Sequence, residues 1–360
     1  MESIEIKEKE LNIFKCSNCG AGLKYKPGTT TLICDYCATQ NEIHQEKTII
    51  EELDFNDYLE KSESESLELE KIIRCKNCGS ASSINESLKS LHCPYCSSPL
   101  VEDDISEERF IKPGYVLPFN LDTPKVYNLL ANWVDSLWWA PNDLKKAALS
   151  PIGLTGIYVP YWTFDVNTFS VYVGERGENY QVTTGTGDNK STETRTRWYT
   201  ATGTISIFFN DVITPASGNI DLISLKELEP WDTDALIKVN DQFLSGFITE
   251  KYKIKLKEGF QSAKIVMDEK IVQEIRHDIG GDKQRVSSVN TQYDNIHFKH
   301  VLLPVYVSSY RYKNKIYNFY VNGRNGKLIG NRPYSTVKII FTIITACILI
   351  GILILMFNGN

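Results

Sequence analysis

The chain has 360 residues, enough for more than one domain, and its hydrophobic content of 42% is ordinary for a globular protein. Its net charge is −6, from 39 lysine and arginine residues against 45 aspartate and glutamate residues. Because contact with nucleic-acid phosphates favours a basic surface, this balance argues against a broad nucleic-acid-binding function.

Eight of the nine cysteines form four Cys-x-x-Cys pairs, arranged as two sets with fourteen residues between the pairs of each set. Every cysteine of the second set lies 59 residues after its counterpart in the first, which indicates an internal duplication. The predicted metal ligands are Cys16, Cys19, Cys34, Cys37, Cys75, Cys78, Cys93 and Cys96.

Each set predicts one structural zinc site, because two Cys-x-x-Cys turns at the ends of a hairpin place four thiolates around one ion. The competing interpretation is a thioredoxin-like redox motif, but that motif needs a strand followed by a helix start, which is missing here. We therefore predict two zinc ribbons, over 11–45 and 72–102, that hold two Zn²⁺ ions. Their function, in docking proteins or in binding nucleic acid, is left open, with protein docking favoured by the charge.

An acidic segment, 46–71, separates the two ribbons and carries a net charge of −7. Its serine and glutamate content favours a solvated linker. The alternative is a short amphipathic segment that docks on a partner, since the apolar residues near Ile50 and Leu53 have rough helical spacing.

Segment 109–333 is predicted to be a mixed α+β domain rich in antiparallel strands. Thr123-Pro124 is typical of a helix start, and Leu256–Ile279 has the apolar spacing of a long helix that ends at Gly280-Gly281. Aromatic and β-branched runs predict separate strands, with a turn at Gly174–Gly177 and a break after Tyr293.

The C-terminal run Ile339–Phe357 has no charged residue, and as a helix it would be about 28 Å long, close to the thickness of a bilayer core. We therefore predict a transmembrane helix over 337–357. Basic residues precede this run and none follows it, which predicts a single-pass protein of the cell membrane with its N-terminal part in the cytoplasm. The predicted fold class is α+β, with two N-terminal rubredoxin-like zinc ribbons, the central domain and this C-terminal transmembrane helix.

The chain resembles a group of bacterial proteins labelled TFIIB-type zinc-ribbon or primosomal-protein-N′-like. The resemblance covers most of the length. It rests on the paired ribbons and on five strings, which are Trp139–Leu144, Gly156–Asp165, Gly174–Gly177, Phe298–Val305 and Val321–Gly323. Membrane-anchored members are similar to an adaptor of envelope-stress systems, which implies virion-core-like and phage-shock-protein-A homologues as partners.

No motif of a nucleotide-driven motor, a zinc protease or a serine hydrolase is present, so no catalytic or cofactor-binding residue is assigned and an enzyme is not expected. The sequence and the resemblance together predict a non-enzymatic, membrane-tethered zinc-ribbon adaptor that binds cytoplasmic proteins. The alternative is a membrane-anchored nucleic-acid-binding ribbon protein associated with replication or transcription.

Overall fold

The computed structural model of the protein describes residues 14–44, 50–60, 68–83, 92–96, 98–101, 104–144, 154–185, 190–313 and 315–358. The strands of these residues form a nine-stranded central sheet and two three-stranded sheets, one in each cysteine-rich segment. Strand residues outnumber helical residues, so the fold is sheet-rich.

The described strands are β1 (Leu23–Tyr25), β2 (Thr31–Cys34), β3 (Gln40–Glu42), β4 (Leu53–Asp54), β5 (Glu68–Arg74), β6 (Ala81–Ser83), β7 (Ile105–Phe110), β8 (Tyr115–Val116), β9 (Thr155–Thr184), β10 (Ser191–Pro215), β11 (Ile237–Lys238), β12 (Ile248–Thr249), β13 (Lys283–Tyr312), β14 (Lys315–Asn322) and β15 (Leu328–Gly330). The described α-helices are α1 (Phe55–Glu60), α2 (Thr123–Ser136), α3 (Leu222–Glu227), α4 (Asp241–Leu244), α5 (Leu256–Ile279) and α6 (Thr336–Asn358), and a 3₁₀ turn lies at Thr233–Ala235.

The main path of the central sheet has the strand order β10, β9, β13, β14, β15. Its three long strands, β9, β10 and β13, are antiparallel neighbours. β9 and β13 have 30 residues each and β10 has 25, far more than the usual five or six. Where these strands cross the body they bury large aromatic residues, including Tyr158, Trp162 and Phe298. The two sheets of the cysteine-rich segments lie against this body.

The predicted turn at Gly174–Gly177 is absent, because β9 runs straight through it. A Cβ at Gly174 would lie 2.4 Å from the carbonyl oxygen of Arg285 on β13 and 2.8 Å from Ile279 of α5. This glycine therefore permits a close approach between strand and helix rather than a turn. The predicted break after Tyr293 is a β-bulge within one continuous strand, where Asn295 adopts a φ of 50°.

Helix α5 covers one face of the three long strands and has the bounds that the sequence predicts. Its buried side includes Phe260, Met267, Ile271 and Ile275. Gly259 at its start lets the helix approach Trp162, since a Cβ there would lie 2.4 Å from the indole ring. The opposite face of the helix is solvated.

The described part of the acidic segment is structured: residues 50–60 pack on the body, and residues 68–71 belong to β5 of the sheet in ribbon 2. β4 pairs with β13, and Phe55 of α1 is buried against Phe164, Phe260 and Phe298. The interpretation as a solvated linker therefore does not hold for these residues. Residues 46–49 and 61–67 of the predicted linker lie outside the described part of the chain.

In the part of the chain that the structure describes, no helix is both long enough and apolar enough to cross a membrane. This finding corrects the transmembrane helix predicted over 337–357, the fold class that included it and the cell-membrane localisation. The side chains of the last predicted positions, 355–357, lie outside the described residues.

Candidate metal centres

The first ribbon brings four cysteine sulfurs to one point. Cys16 and Cys34 are buried, and the Sγ atoms of all four cysteines lie within 4.8 Å of one another. The Sγ–Sγ distances are 3.6 Å for Cys16 and Cys37 and 3.5 Å for Cys19 and Cys34. A tetrahedral zinc ion with Zn–S bonds of ~2.3 Å needs sulfurs about 3.8 Å apart, so the arrangement fits such an ion.

The second ribbon repeats this geometry. Cys75 and Cys96 have their Sγ atoms 3.6 Å apart, and those of Cys78 and Cys93 are 3.5 Å apart. The structure therefore brings all eight predicted ligands together as two groups of four, and each group could hold a metal ion.

Tight turns hold the cysteines in each group. In both ribbons the amide after the first pair, of Gly20 or Gly79, donates to the carbonyl of the first cysteine of that pair. Both glycines have φ above 70°, a conformation that costs glycine little and other residues more. The second turn of ribbon 1 has the same shape, with Ala38 at a φ of 56°.

Local hydrogen bonds favour the thiolate form at Cys16 and Cys37 of the first group and at Cys96 of the second. The Thr39 hydroxyl and amide donate to Cys37 and lower its pKa to about 6. Burial opposes the same shift at Cys96, but hydrogen bonds from Ser98 lower its pKa to about 6. Burial raises the pKa of Cys93. A cation between the four sulfurs would offset this unequal ionisation, since metal-bound thiols lose their protons.

Four thiolates fill all four positions of a tetrahedral ion. A catalytic zinc ion keeps one coordination position for water or substrate, whereas the four cysteines of each group would occupy all four positions. The chemistry that the geometry supports at these centres is structural.

Ribbon 2 is fixed to the body through the tyrosine of its second turn. Tyr95 is 8% exposed, and its hydroxyl donates to Glu250, which is fully buried beside β12. The backbone of the ribbon also pairs with the body, since the Lys251 amide donates to the carbonyl of Ala81. An ion pair between Lys251 and Glu70 of β5 adds to the same interface.

Ribbon 1 contacts the body through its hairpin instead. The Tyr25 ring lies edge-on to Phe243, with ring centroids 5.0 Å apart, and the Gly28 amide donates to the carbonyl of Phe119. Its second turn points away from the body. There Tyr36, the counterpart of Tyr95 in the duplication, is 86% exposed.

Sequence reasoning missed the charged groups that hold the acidic segment and the sheet together. The Lys299 ammonium is buried and lies 2.8 Å from Glu52, 2.7 Å from Asp211 and 3.7 Å from Asp165. Burial raises the pKa of Asp165 to about 6. These four residues are 247 positions apart at most, so no spacing in the sequence identifies them. We interpret the cluster as structural, because each of the three carboxylates lies within ion-pair distance of the buried lysine.

The two histidines in the middle of β13 occupy different environments. His300 is buried, and its Nδ1 is 2.9 Å from the carbonyl of Ile111, whereas His297 is half-buried. They do not form a joint metal site, in agreement with their odd spacing along a strand.

Comparison with known proteins gives one informative similarity. The chain is 28% identical over 343 residues to a protein named Uncharacterized protein YdjG from Bacillus subtilis (strain 168), a match that covers 91% of each chain. No family model matches the chain, and no solved structure matches it. The relative brings no activity or ligand with it, and the resemblance to TFIIB-type zinc-ribbon proteins stays a prediction.

Proposed function

We propose that the chain is a non-enzymatic adaptor in which two structural zinc ions shape the ribbons and ribbon 1 docks a partner protein. The observation that carries the proposal is the difference in burial between two equivalent tyrosines. Tyr95 is buried against the body, whereas Tyr36 is 86% exposed at the same position of the duplicated ribbon.

Zinc is the metal that the donor set favours. Four thiolates in a tetrahedral arrangement are typical of structural zinc, and the sulfur spacing of 3.5 to 3.6 Å suits its bond length. The described residues of each ribbon form three short strands, so metal binding would supply much of its folding free energy, on the order of 10–16 kcal/mol in small zinc peptides. The function of the two ions is to hold the turns that present Tyr36 and Tyr95.

Ribbon 2 shows how such a turn docks on protein. The Tyr95 ring is enclosed, and its hydroxyl is 2.6 Å from the Glu250 carboxylate. Tyrosine is enriched at protein interfaces because it combines a large rigid ring with one polar atom. A partner of ribbon 1 would therefore offer a pocket for the Tyr36 ring, with an acceptor for its hydroxyl at the end.

Two observations support a protein rather than a nucleic acid as the partner. Asp35 adjoins it and carries a negative charge that is paired with Lys24 at 2.7 Å. The chain as a whole has a net charge of −6, which disfavours a phosphate backbone. The resemblance described above supplies candidates for the partner, the virion-core-like and phage-shock-protein-A homologues.

Photo-crosslinking in cells tests the proposal. p-Benzoylphenylalanine replaces Tyr36 in one variant and Tyr199, an exposed aromatic residue on β10, in a matched control. We expect discrete protein crosslinks from position 36 alone, and their loss when Cys34→Ser removes a zinc ligand. Equal crosslinks from both positions, or crosslinks to nucleic acid, would contradict protein docking through ribbon 1.

Quantitative binding then separates the ring from the hydroxyl. Against the purified crosslinked partner, Tyr36→Ala should weaken binding by about 2 kcal/mol or more, the size of an interface hot spot. Tyr36→Phe should lose about 1 kcal/mol, the net value of one hydrogen bond. Unchanged affinity in both variants would show that the partner contacts another surface.

A further inference from the structure

A cavity of about 570 Å³ lies between the sheet of ribbon 2 and the start of α5, and none of the eight cysteines lines it. One wall is formed by β5 and β7, the other by residues 251–261, and α1 closes one end through Tyr58 and Leu59. Cavities of ~300–1,000 Å³ are the usual size of small-molecule sites.

The cavity is basic in an acidic protein. Its lining has six basic and two acidic side chains, a net charge of +4, whereas the chain has a net charge of −6. The basic residues are Arg74, Arg109, Lys251, Lys253, Lys255 and Lys257, and the acidic residues are Glu108 and Glu258.

Some of these cations are committed to the fold, and others are not. Arg74 donates to both carboxylate oxygens of Glu108, and Lys251 pairs with Glu70. Lys253, Lys255 and Lys257 are exposed, and no ion pair joins any of them to a described residue. Three positive charges at the mouth of the cavity are thus available to a ligand.

The start of α5 adds backbone donors to these charges. The residue at the N-cap is Lys255, whose ammonium cannot accept a hydrogen bond from the amides of the first turn. Glu258 accepts from the Lys255 amide at 3.2 Å, which leaves the amides of the first turn to another acceptor. The helix has 24 residues, and residues 255–258 at its N-terminal end, the positive end of the helix dipole, line the cavity.

The floor of the cavity is apolar. Phe110 and Tyr252 lie edge-on to each other, with ring centroids 5.4 Å apart, and Leu59, Ile111 and Leu256 complete the lining around them. A hydrated inorganic ion would leave this surface without a partner, so the lining favours a ligand with an apolar part.

We propose that this cavity binds a small organic anion, a phosphate or carboxylate joined to an apolar or aromatic group. The anionic group lies among Lys253, Lys255, Lys257 and the first turn of α5, and the apolar group rests on Phe110 and Tyr252. Nothing in the function of ribbon 1 requires this site, so either proposal can fail without the other.

Ligand-observed NMR titration of the zinc-loaded full chain tests the site with four probes. These are phenyl phosphate, phenylacetate, inorganic phosphate and neutral benzyl alcohol. We expect phenyl phosphate or phenylacetate to bind with a Kd below about 10 mM, at least tenfold tighter than benzyl alcohol and inorganic phosphate. Whichever of phenyl phosphate and phenylacetate binds more tightly identifies the anionic group as a phosphate or a carboxylate. Absence of saturable binding by both, or equal binding of benzyl alcohol, would overturn the proposal.

Matched variants locate the binding. Lys255→Gln with Lys257→Gln should weaken binding by about fivefold for each lysine, the effect of one unit charge at ~4 Å in water. The control, Lys226→Gln with Lys270→Gln, makes the same change in net charge at two exposed lysines outside the cavity. Equal weakening in both pairs would show attraction by the whole protein rather than a site. Gln261→Trp, at the rim, should also reduce binding by filling the cavity.

Discussion

Glu250 couples the stability of the protein to pH at the contact between ribbon 2 and the body. It is 1% exposed and accepts hydrogen bonds from the hydroxyls of Tyr95 and Ser217, at 2.6 and 2.7 Å, and from the Asn219 side-chain amide at 2.5 Å. Burial raises its pKa to about 7, although these three donors act in the opposite direction. Replacing Glu250 with Gln keeps the shape of the side chain and removes its titration.

The expected size follows from the shift in pKa. A change from 4.5 to about 7 corresponds to about 3 kcal/mol at 1.36 kcal/mol per unit. The folded protein holds the proton more tightly than the unfolded chain does. The stability from protonated Glu250 is therefore fully present below pH 4.5 and is lost as the pH rises through 7. Between pH 5 and pH 8, wild type should lose up to about 3 kcal/mol relative to Glu250→Gln.

Urea unfolding of the zinc-loaded protein, followed by tryptophan fluorescence at pH 5 and pH 8, measures this difference. Titration of the cysteines and of other groups is shared by both proteins and cancels when the two pH dependences are subtracted. An exposed glutamate of α3, changed as Glu227→Gln, is the control and should leave the pH dependence unaltered. An equal pH dependence in wild type and Glu250→Gln would refute the reasoning.

Three further predictions concern other parts of the molecule. Cys34→Ser should lower the zinc content measured by native mass spectrometry from two ions to one, and retention of both would contradict the assignment of ligands. Burial lowers the pKa of His300 to about 3, so wild type should lose stability below pH 6.5, about 2 kcal/mol by pH 5, and His300→Phe should lose less in acid unfolding. Gly174→Ala should cost about 1–3 kcal/mol in urea unfolding, because its Cβ would lie 2.4 Å from the Arg285 carbonyl, whereas Gly114→Ala has open space around the new methyl group and should change stability little.

The metal ligands could be predicted because their chemistry is local. Two Cys-x-x-Cys turns separated by fourteen residues leave little choice of partner, and the structure brings the same four sulfurs together in each ribbon. The bounds of the helix Leu256–Ile279 could also be predicted from the sequence, since apolar spacing and a pair of glycines mark the helix and its end. Even there, the apolar spacing does not identify every buried position, since Ile265 and Val266 are 64% and 39% exposed.

The long strands could not be predicted, because their continuity depends on distant neighbours. Gly174 looks like a turn residue in the sequence, but β13 and α5 approach it too closely for a side chain, and the strand continues. The polar residues near Asn295 likewise look like a break between two strands in the sequence. They form a bulge instead, because β13 pairs with β9 both before and after them. The basic cavity combines residues from α1, β5, β7 and α5, which no single motif connects.

The duplication shows most directly where sequence reasoning stops. An offset of 59 residues identifies Tyr36 and Tyr95 as equivalents, and the residues that precede them, Asp35 and Pro94, do not indicate which tyrosine is buried. Their environments differ because a segment more than 150 positions away brings Glu250 to the second ribbon, while Tyr36 remains 86% exposed. The acceptor that Tyr95 finds is a carboxyl group whose pKa is raised to about 7 by burial. A partner of ribbon 1 need not bear that cost of burying an acid, because a backbone carbonyl would accept from Tyr36 equally well without a charge to desolvate.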